Sequence, residues 1–415
     1  MRWFIAIFLV WTCLARAADL PGPWVEFTAG GGLDVRAITG PGAVCPPVLA
    51  DGAPVESAIR QPADPAGGAY PLQLCVAHVP QTVSRITVDG LPTPVPPRRL
   101  VRIAVIGDTG CRLKGDHVQD CNDPARWPFA TIARLAAARR PDLVIHVGDY
   151  HYRETPCPAG HPGCDGSPYG DNWEVWRRDF FDPAAPLLAA APWVMVRGNH
   201  ELCSRGGHGW TRLLEPHPGV TDCADMSAPY AVDIDPLHLL VLDSAIADDS
   251  KPDPATVPAY RQQLQTLFAN APPHSWLVTH RPVWALAEGE GVTPDSTANA
   301  TLEAAIADQV PPVLDMVLGG HIHDFMSFEF GPGRPAQLVT GEGGDAHDPI
   351  VQPVKAGLMV DGMALRHAFA LPDYGYVMLH RTPRGWGATV YSVTDTVLAH
   401  CQLHDRALTC HAVPP

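Results

Sequence analysis

Six short apolar runs between Val101 and His323 constrain this chain more than any other feature: "VRIAVIGD", "DLVIHVGD", "WVMVRGNH", "LHLLVLDS", "SWLVTHRP" and "DMVLGGHIH". Each reads as a buried strand. Between them lie helix-period patterns, "FATIARLAAARR", "PAYRQQLQTLFANA" and "ATLEAAIADQ". Alternation of this kind predicts an α/β domain. Five of the six runs end on Gly107-Asp108-Thr109-Gly110, Gly148-Asp149-Tyr150-His151-Tyr152, Gly198-Asn199-His200-Glu201, Thr279-His280 and Gly320-His321-Ile322-His323. Carboxylates and imidazoles are costly to bury unless something pairs with them.

A Gly-Asp pair alone is usually a turn, and a lone Gly-Asn-His says little more. His321 and His323 fall on one face of an extended segment, because side chains alternate with period two. The joint occurrence is what carries weight: α/β sheets build their sites outside the carboxyl ends of strands. Here those ends supply oxygen and nitrogen donors enough for two metal ions.

The set GDxG, GDxxY, GNH, a histidine after an apolar run, and GHxH resembles the calcineurin-like metallophosphoesterase superfamily and, within it, the purple acid phosphatases. It spans Val101 to about Gly344, and "RGNHELCSRGGHGW" and "THRPVW" look most like exported bacterial members. The resemblance implies a four-layer α-β-β-α sandwich. It implies one ion held by Asp108, Asp149, Tyr152 and His323, and a second held by Asp149, Asn199, His280 and His321, with Asp149 bridging. His200 would stand beside the substrate and protonate the leaving alkoxide. Many superfamily members carry a histidine where this chain has Gly110, and lack a tyrosine at the place of Tyr152. A phenolate is a hard anionic donor that suits Fe(III), so the implied cofactors are Fe(III) plus a divalent ion (Zn, Mn or Fe). The implied activity is hydrolysis of small phosphate esters, an acid phosphomonoesterase using a metal-bound hydroxide. The alternative is a metallophosphodiesterase or nucleotidase with two divalent ions; a non-enzymatic binding module is disfavoured by the complete donor set. Unlike plant purple acid phosphatases, the chain has no histidine between His280 and His321, which leaves the leaving-group pocket unspecified.

The rest of the sequence frames this centre. "MRWFIAIFLVWTCLARAADL" has a basic start, an apolar run too short to span a bilayer comfortably, and a small-x-small end at Ala15-Arg16-Ala17. It predicts a signal peptide over 1–17 and export to the periplasm or medium. No later run predicts stable membrane insertion. A formal charge of -15 argues against nucleic acid as a partner, and leaves the oligomeric state open. Residues 18–98 read as a β-rich N-terminal region closed by the linker "PTPVPPRR", and 99–415 as the catalytic domain. With Cys13 removed, ten of eleven cysteines remain, and in an exported chain they predict disulfides. Neighbour pairing (Cys45–Cys75, Cys111–Cys121, Cys157–Cys164, Cys203–Cys223, Cys401–Cys410) is the expectation, although sequence alone does not fix connectivity.

Several residues have a plainer reading. Tyr150 is a packing residue and His146 a satisfied core histidine. His151 faces pocket or solvent; Glu201 orients His200 or a water, or forms a solvated ion pair. Arg153, Arg197, Arg205 and Arg281 are surface cations or substrate contacts, and His208 is a loop histidine within reach of the site. His400, His404 and His411 mark a disulfide-closed surface hairpin rather than a metal cluster.

Overall fold

The computed structural model describes residues 20–286, 299–348 and 354–414. The signal-peptide expectation and Cys13 lie outside them. All six apolar runs are strands, at Arg102–Ile106, Leu143–His146, Trp193–Met195, Leu237–Val241, Ser275–Val278 and Leu314–Gly319. The first three pair in parallel, Ile103 opposite Leu143 and Val144 opposite Trp193. The last three form a second parallel set, extended by Ala336–Thr340.

These two sets are the centres of an 11-stranded and a 7-stranded sheet. Val105, Ile145 and Val194 from one sheet share a core with Leu239, Val278 and Leu318 from the other. Because side chains alternate along each strand, Ala104, Ile106 and Val144 face outward, under helices Phe129–Ala138 and Asp182–Leu188. On the far face, Leu240, Leu277 and Val317 are covered by Val257–Phe268 and Ala300–Ile306. The result is the four-layer α-β-β-α sandwich that the motifs imply. Near-continuous apolar runs are the expected signature of strands covered on both faces.

The N-terminal strands join this frame. Trp24–Phe27 pairs in parallel with Trp193–Met195, and Leu33–Thr39, Gln73–Val79 and Ala58–Gln61 continue the same sheet. A separate 4-stranded sheet holds Val48–Ala50, Ala53–Val55, Ile86–Val88 and Leu91–Thr93. At the other edge, Gly375–Thr382, Gly385–Ser392, Val397–His404 and Ala407–Ala412 run as an antiparallel meander whose last hairpin Cys401–Cys410 closes. His400 stands opposite His411 there, so these histidines belong to a surface hairpin. All five neighbour disulfides are present. Among the described residues, no helix is long and apolar enough to cross a membrane.

Candidate metal centre

Both parallel sets end on the same side, so the five loops meet between the sheets. Three donor residues there have left-handed backbones: Asp108 (φ 55°), Asp149 (φ 60°) and His321 (φ 70°). Such backbones cost about 1–3 kcal/mol each and persist where the surroundings over-determine them. The surroundings are visible here. Asp108 N–H donates to Gly148 O at 2.9 Å, Thr109 N–H to Asp149 O at 3.0 Å, and Gly320 N–H to His280 O at 2.8 Å. Gly198 is required by contact: a Cβ there would lie 2.1 Å from Asp149 Oδ1.

The seven candidate ligands fall into two overlapping groups. Tyr152 Oη is 3.1 Å from Asp108 Oδ1, 2.9 Å from Asp149 Oδ2 and 3.0 Å from His323 Nε2. His280 Nε2 is 3.0 Å from Asn199 Oδ1 and 3.1 Å from Asp149 Oδ2. Donor atoms of Asp149, His280 and His321 all lie within 4.8 Å of one another. Asp149 thus belongs to both groups. Metal–oxygen and metal–nitrogen bonds of about 2.1 Å place neighbouring donors about 3 Å apart, so the spacing fits two ions sharing Asp149.

The imidazoles are aimed by their outer nitrogens. His280 Nδ1 sits 2.9 Å from Val147 O and His323 Nδ1 2.9 Å from Ala346 O, leaving Nε2 of each toward the centre. His321 is reversed: its Nε2 lies 3.0 Å from Asp249 Oδ2, leaving Nδ1 as donor. Outer contacts of this kind fix which nitrogen a ligating histidine presents.

The electrostatics call for cations. Burial, then Asp149 and Asp108, push the Tyr152 phenol well above its ordinary range. A phenol wedged against two carboxylates ionises only if strong positive charge arrives. Burial also opposes ionisation of Asp149, but His280 and His200 outweigh it and hold the carboxyl well below the usual range. His323 is pushed up to about 10: burial opposes this, but Asp348, Asp345 and Asp108 prevail.

Around the centre, three imidazoles each carry an arginine tied to a carboxylate. Arg112 Nη2 is 2.8 Å from His323 Nδ1 and its Nε bonds Asp345 at 2.9 Å. Arg281 Nη1 is 2.9 Å from His321 Nε2 and pairs with Asp249. Arg205 Nε bonds Glu154 at 2.8 Å, and its Nη2 is 2.6 and 2.7 Å from the two nitrogens of His200. That near-equal spacing places the guanidinium over the ring face. Glu154 Oε1, 2.7 Å from Nδ1, is then the hydrogen-bonding partner of His200. His200 Nε2 lies toward the centre, 3.9 Å from Asp149 Oδ2. Burial lowers His200 to about 3, against the pull of Asp149 and Glu154.

Other expectations change. Glu201 neither orients His200 nor meets solvent. Fully buried, it accepts N–H bonds from Asp149, Tyr150, His151 and Gly198 at 2.8–3.1 Å, tying the second motif to the third. His151 is buried and bonds Gly170 O, facing neither pocket nor solvent. Arg153 and Arg197 are buried in ion pairs with Asp179 and Asp243. His208 is exposed on its helix. Tyr150 does pack, stacked 3.9 Å from His146, whose Nε2 is 2.9 Å from Thr109 Oγ1 and whose Nδ1 accepts from Gly148 N–H.

Sequence reasoning missed Asp179, Glu154, Asp249, Asp345 and Arg112. Asp179 sits in a π-helical turn at Arg177–Phe181, where its carboxylate accepts from Tyr152 N–H (2.9 Å), Arg153 N–H and Cys111 N–H. A π-turn shifts a helix's register and is common near functional sites. Its only sequence signal was the amphipathic "WEVWRRDFFD".

A four-layer sandwich whose strand ends gather this donor set is the architecture of a metal-dependent phosphoesterase. The chain belongs to the calcineurin-like phosphoesterase family, whose model matches residues 101–325. No curated protein matches it. Among solved structures it is similar to the purple acid phosphatase PPD1 from seeds of yellow lupin (Lupinus luteus), with a TM-score of 0.60 and 13% identity over 94% of this chain and 74% of that one. It is similar also to PhoD, with a TM-score of 0.57 and 14% identity over 95% of this chain and 93% of that one. At such identities the likeness is one of fold.

Proposed function

We propose that the protein is an exported acid phosphomonoesterase whose ligands are Asp108, Asp149, Tyr152 and His323 for Fe(III), and Asp149, Asn199, His280 and His321 for a divalent ion (Zn, Mn or Fe). The observation that carries this reading is the Tyr152 hydroxyl, within 3.1 Å of Asp108, Asp149 and His323. A hard phenolate donor among carboxylates favours a trivalent ion. The five disulfides support export.

Bound there, the two ions supply Lewis acidity toward the phosphoryl oxygens and a water acidic enough to attack phosphorus in mildly acid medium. Hydrolysis breaks the ester P–O bond and places a proton on the departing oxygen. His200 is the group for that transfer. Glu154 on Nδ1 fixes the ring and, with Asp149, opposes the burial that disfavours the imidazolium, so Nε2 exchanges the proton. Arg205 Nη2, within 2.7 Å of both ring nitrogens, restricts the ring's rotation.

Metal analysis of the purified protein, with a visible spectrum and a panel of mono- and diesters, tests the proposal. Iron with a second metal, colour, and preference for monoesters are expected. A colourless protein holding two divalent ions at full activity favours a phosphodiesterase or nucleotidase.

A further inference from the structure

Three cations, Arg112, Lys114 and Arg205, stand around the segment Tyr152–Glu154 beside His200. Arg112, Leu113 and Lys114 lie inside the loop that the Cys111–Cys121 disulfide closes, and Leu113–Lys114 pairs with His117–Val118 as a short hairpin. The hairpin is docked on the segment after Tyr152: Leu113 bridges Arg153, and Leu113 O accepts from Glu154 N–H at 2.9 Å and Thr155 N–H at 3.0 Å. Gly115 N–H adds a bond to Thr155 Oγ1 at 3.0 Å. Disulfide and hairpin thus present Arg112 and Lys114 from a braced support.

Two of the cations are matched. Arg112 has Asp345, and Arg205 has Glu154. Lys114 forms no ion pair among the described residues, and its hairpin is bonded through Leu113 O to the backbone of Glu154, whose carboxylate holds both His200 and Arg205. Lys114 is solvent-exposed as a residue, yet partial desolvation of its amine lowers its pKa first, then repulsion from Arg205, with Glu154 opposing and Arg112 adding to it. Like charges brought together on a braced support are unfavourable unless an anion joins them. The two arginines cannot relieve the repulsion by losing their protons. Glu154 is already shared between His200 and Arg205.

We propose that Lys114 and Arg205, with Arg112 beside them, form a subsite for a leaving group that carries its own negative charge, a carboxylate or a second phosphoryl group. This rests on the assignment of His200 to the leaving-group side. A leaving group departing past His200 Nε2 passes Arg205 directly, and Lys114 completes the pocket. The arginine guanidinium offers paired donors to a planar or tetrahedral anion, and the lysine a mobile point charge. The third arginine, Arg281, lies across the centre against His321 and has no part in this subsite.

A matched pair of esters reads the subsite. Glycerol 2-phosphate and 2-phosphoglycerate differ by one hydroxymethyl group replaced with a carboxylate; pyrophosphate tests the phosphoryl alternative. With the metal-loaded protein, kcat/KM for at least one anionic substrate should exceed that for glycerol 2-phosphate by on the order of tenfold. The ratio should shrink as salt rises, as a charge effect must. Lys114→Gln should bring it toward one, and Lys114→Glu below one; the position is exposed, so the fold tolerates both. Calorimetric binding of the same compounds separates this inference from the phosphatase reading. Anionic preference in binding without turnover of any ester keeps the subsite and removes the activity. Equal kcat/KM and equal binding for all three compounds, or a preference that Lys114→Glu leaves intact, overturns the subsite.

Discussion

A Cβ built on Gly110 would lie 2.8 Å from Cδ2 of Tyr152, and as close to Tyr150 O. A side chain at 110 and the ring at 152 therefore compete for one volume. The missing histidine of the first motif and the gained tyrosine of the second are a single steric exchange. The ring fills the space, and its oxygen takes up a position between Asp108 and His323.

Gly110→Ala should accordingly disturb in particular the site proposed for the first ion. Overpacking of this kind costs about 1–3 kcal/mol, and here two of the three nearest contacts, Tyr150 O and Tyr152 N, are backbone atoms that cannot swing away. Lower melting temperature and reduced metal content are expected. An alanine variant with wild-type metal content would mean that the loop yields freely.

Glu201→Gln tests the brace between the second and third motifs. The carboxylate takes four backbone N–H groups. An amide keeps one acceptor oxygen and points donors at the rest. Each buried donor left unpaired costs about 1–3 kcal/mol, so destabilisation of several kcal/mol and loss of bound metal are expected. Denaturant unfolding measures it; a midpoint near wild type would show the loops hold each other without Glu201.

The strands and the seven candidate ligands were legible because both leave local signals: an apolar run, a glycine, then a donor. The groups that aim those ligands were not. Asp249 lies eight residues beyond its strand, at the end of "DSAIADD", and reaches His321 across 72 positions. Asp345 meets Arg112 across 233. Such contacts arise from tertiary packing and have no spacing rule. Arg153 and Arg197 were misread for a related reason: an arginine's burial depends on a distant carboxylate. The strands before Val101 were read as β-rich, but their junction with Trp193–Met195 rests on Glu26 meeting Trp193, a pairing no local pattern announces.

Asp149→Asn and Asn199→Ala should each lower turnover by on the order of a thousandfold or more, since both remove charge or donors shared at the centre. Far-UV circular dichroism should stay unchanged, because neither side chain packs in an apolar cluster. Activity within a few fold of wild type in either variant would undo the two-ion assignment.

Glu26 gives a pH dependence of stability. Buried beside Trp24 and 3.3 Å from Arg36, it is pushed from 4.5 up to about 7, burial being the largest cause and Arg36 opposing. A carboxyl raised on folding binds more protons in the native state. Its contribution is therefore full below pH 4.5 and lost as pH rises through 7. The loss is on the order of 3 kcal/mol at most. Melting temperature should fall from pH 5 to pH 8, and less steeply in Glu26→Gln, measured by calorimetry. Parallel pH profiles for the two proteins would show Glu26 ionised throughout.

The spectrum separates the two tyrosines of the second motif. Tyr152 offers its oxygen to the centre, whereas Tyr150 turns into the apolar layer, where its hydroxyl accepts from Val196 N–H at 3.2 Å and its ring stacks on His146. Phenylalanine keeps either ring and removes only the oxygen, so packing changes little. In iron-loaded protein, Tyr152→Phe should abolish the visible band and lower iron content, because the donor is gone. Tyr150→Phe should keep band and iron, at the cost of the buried hydrogen bonds its hydroxyl makes with Val196 N–H and His146 O, about 1 kcal/mol each. The pair controls for a general effect of losing a hydroxyl near the site. Bleaching by Tyr150→Phe with the band kept in Tyr152→Phe would place the phenolate two residues earlier. That outcome is incompatible with a Tyr152 oxygen 2.9 Å from Asp149.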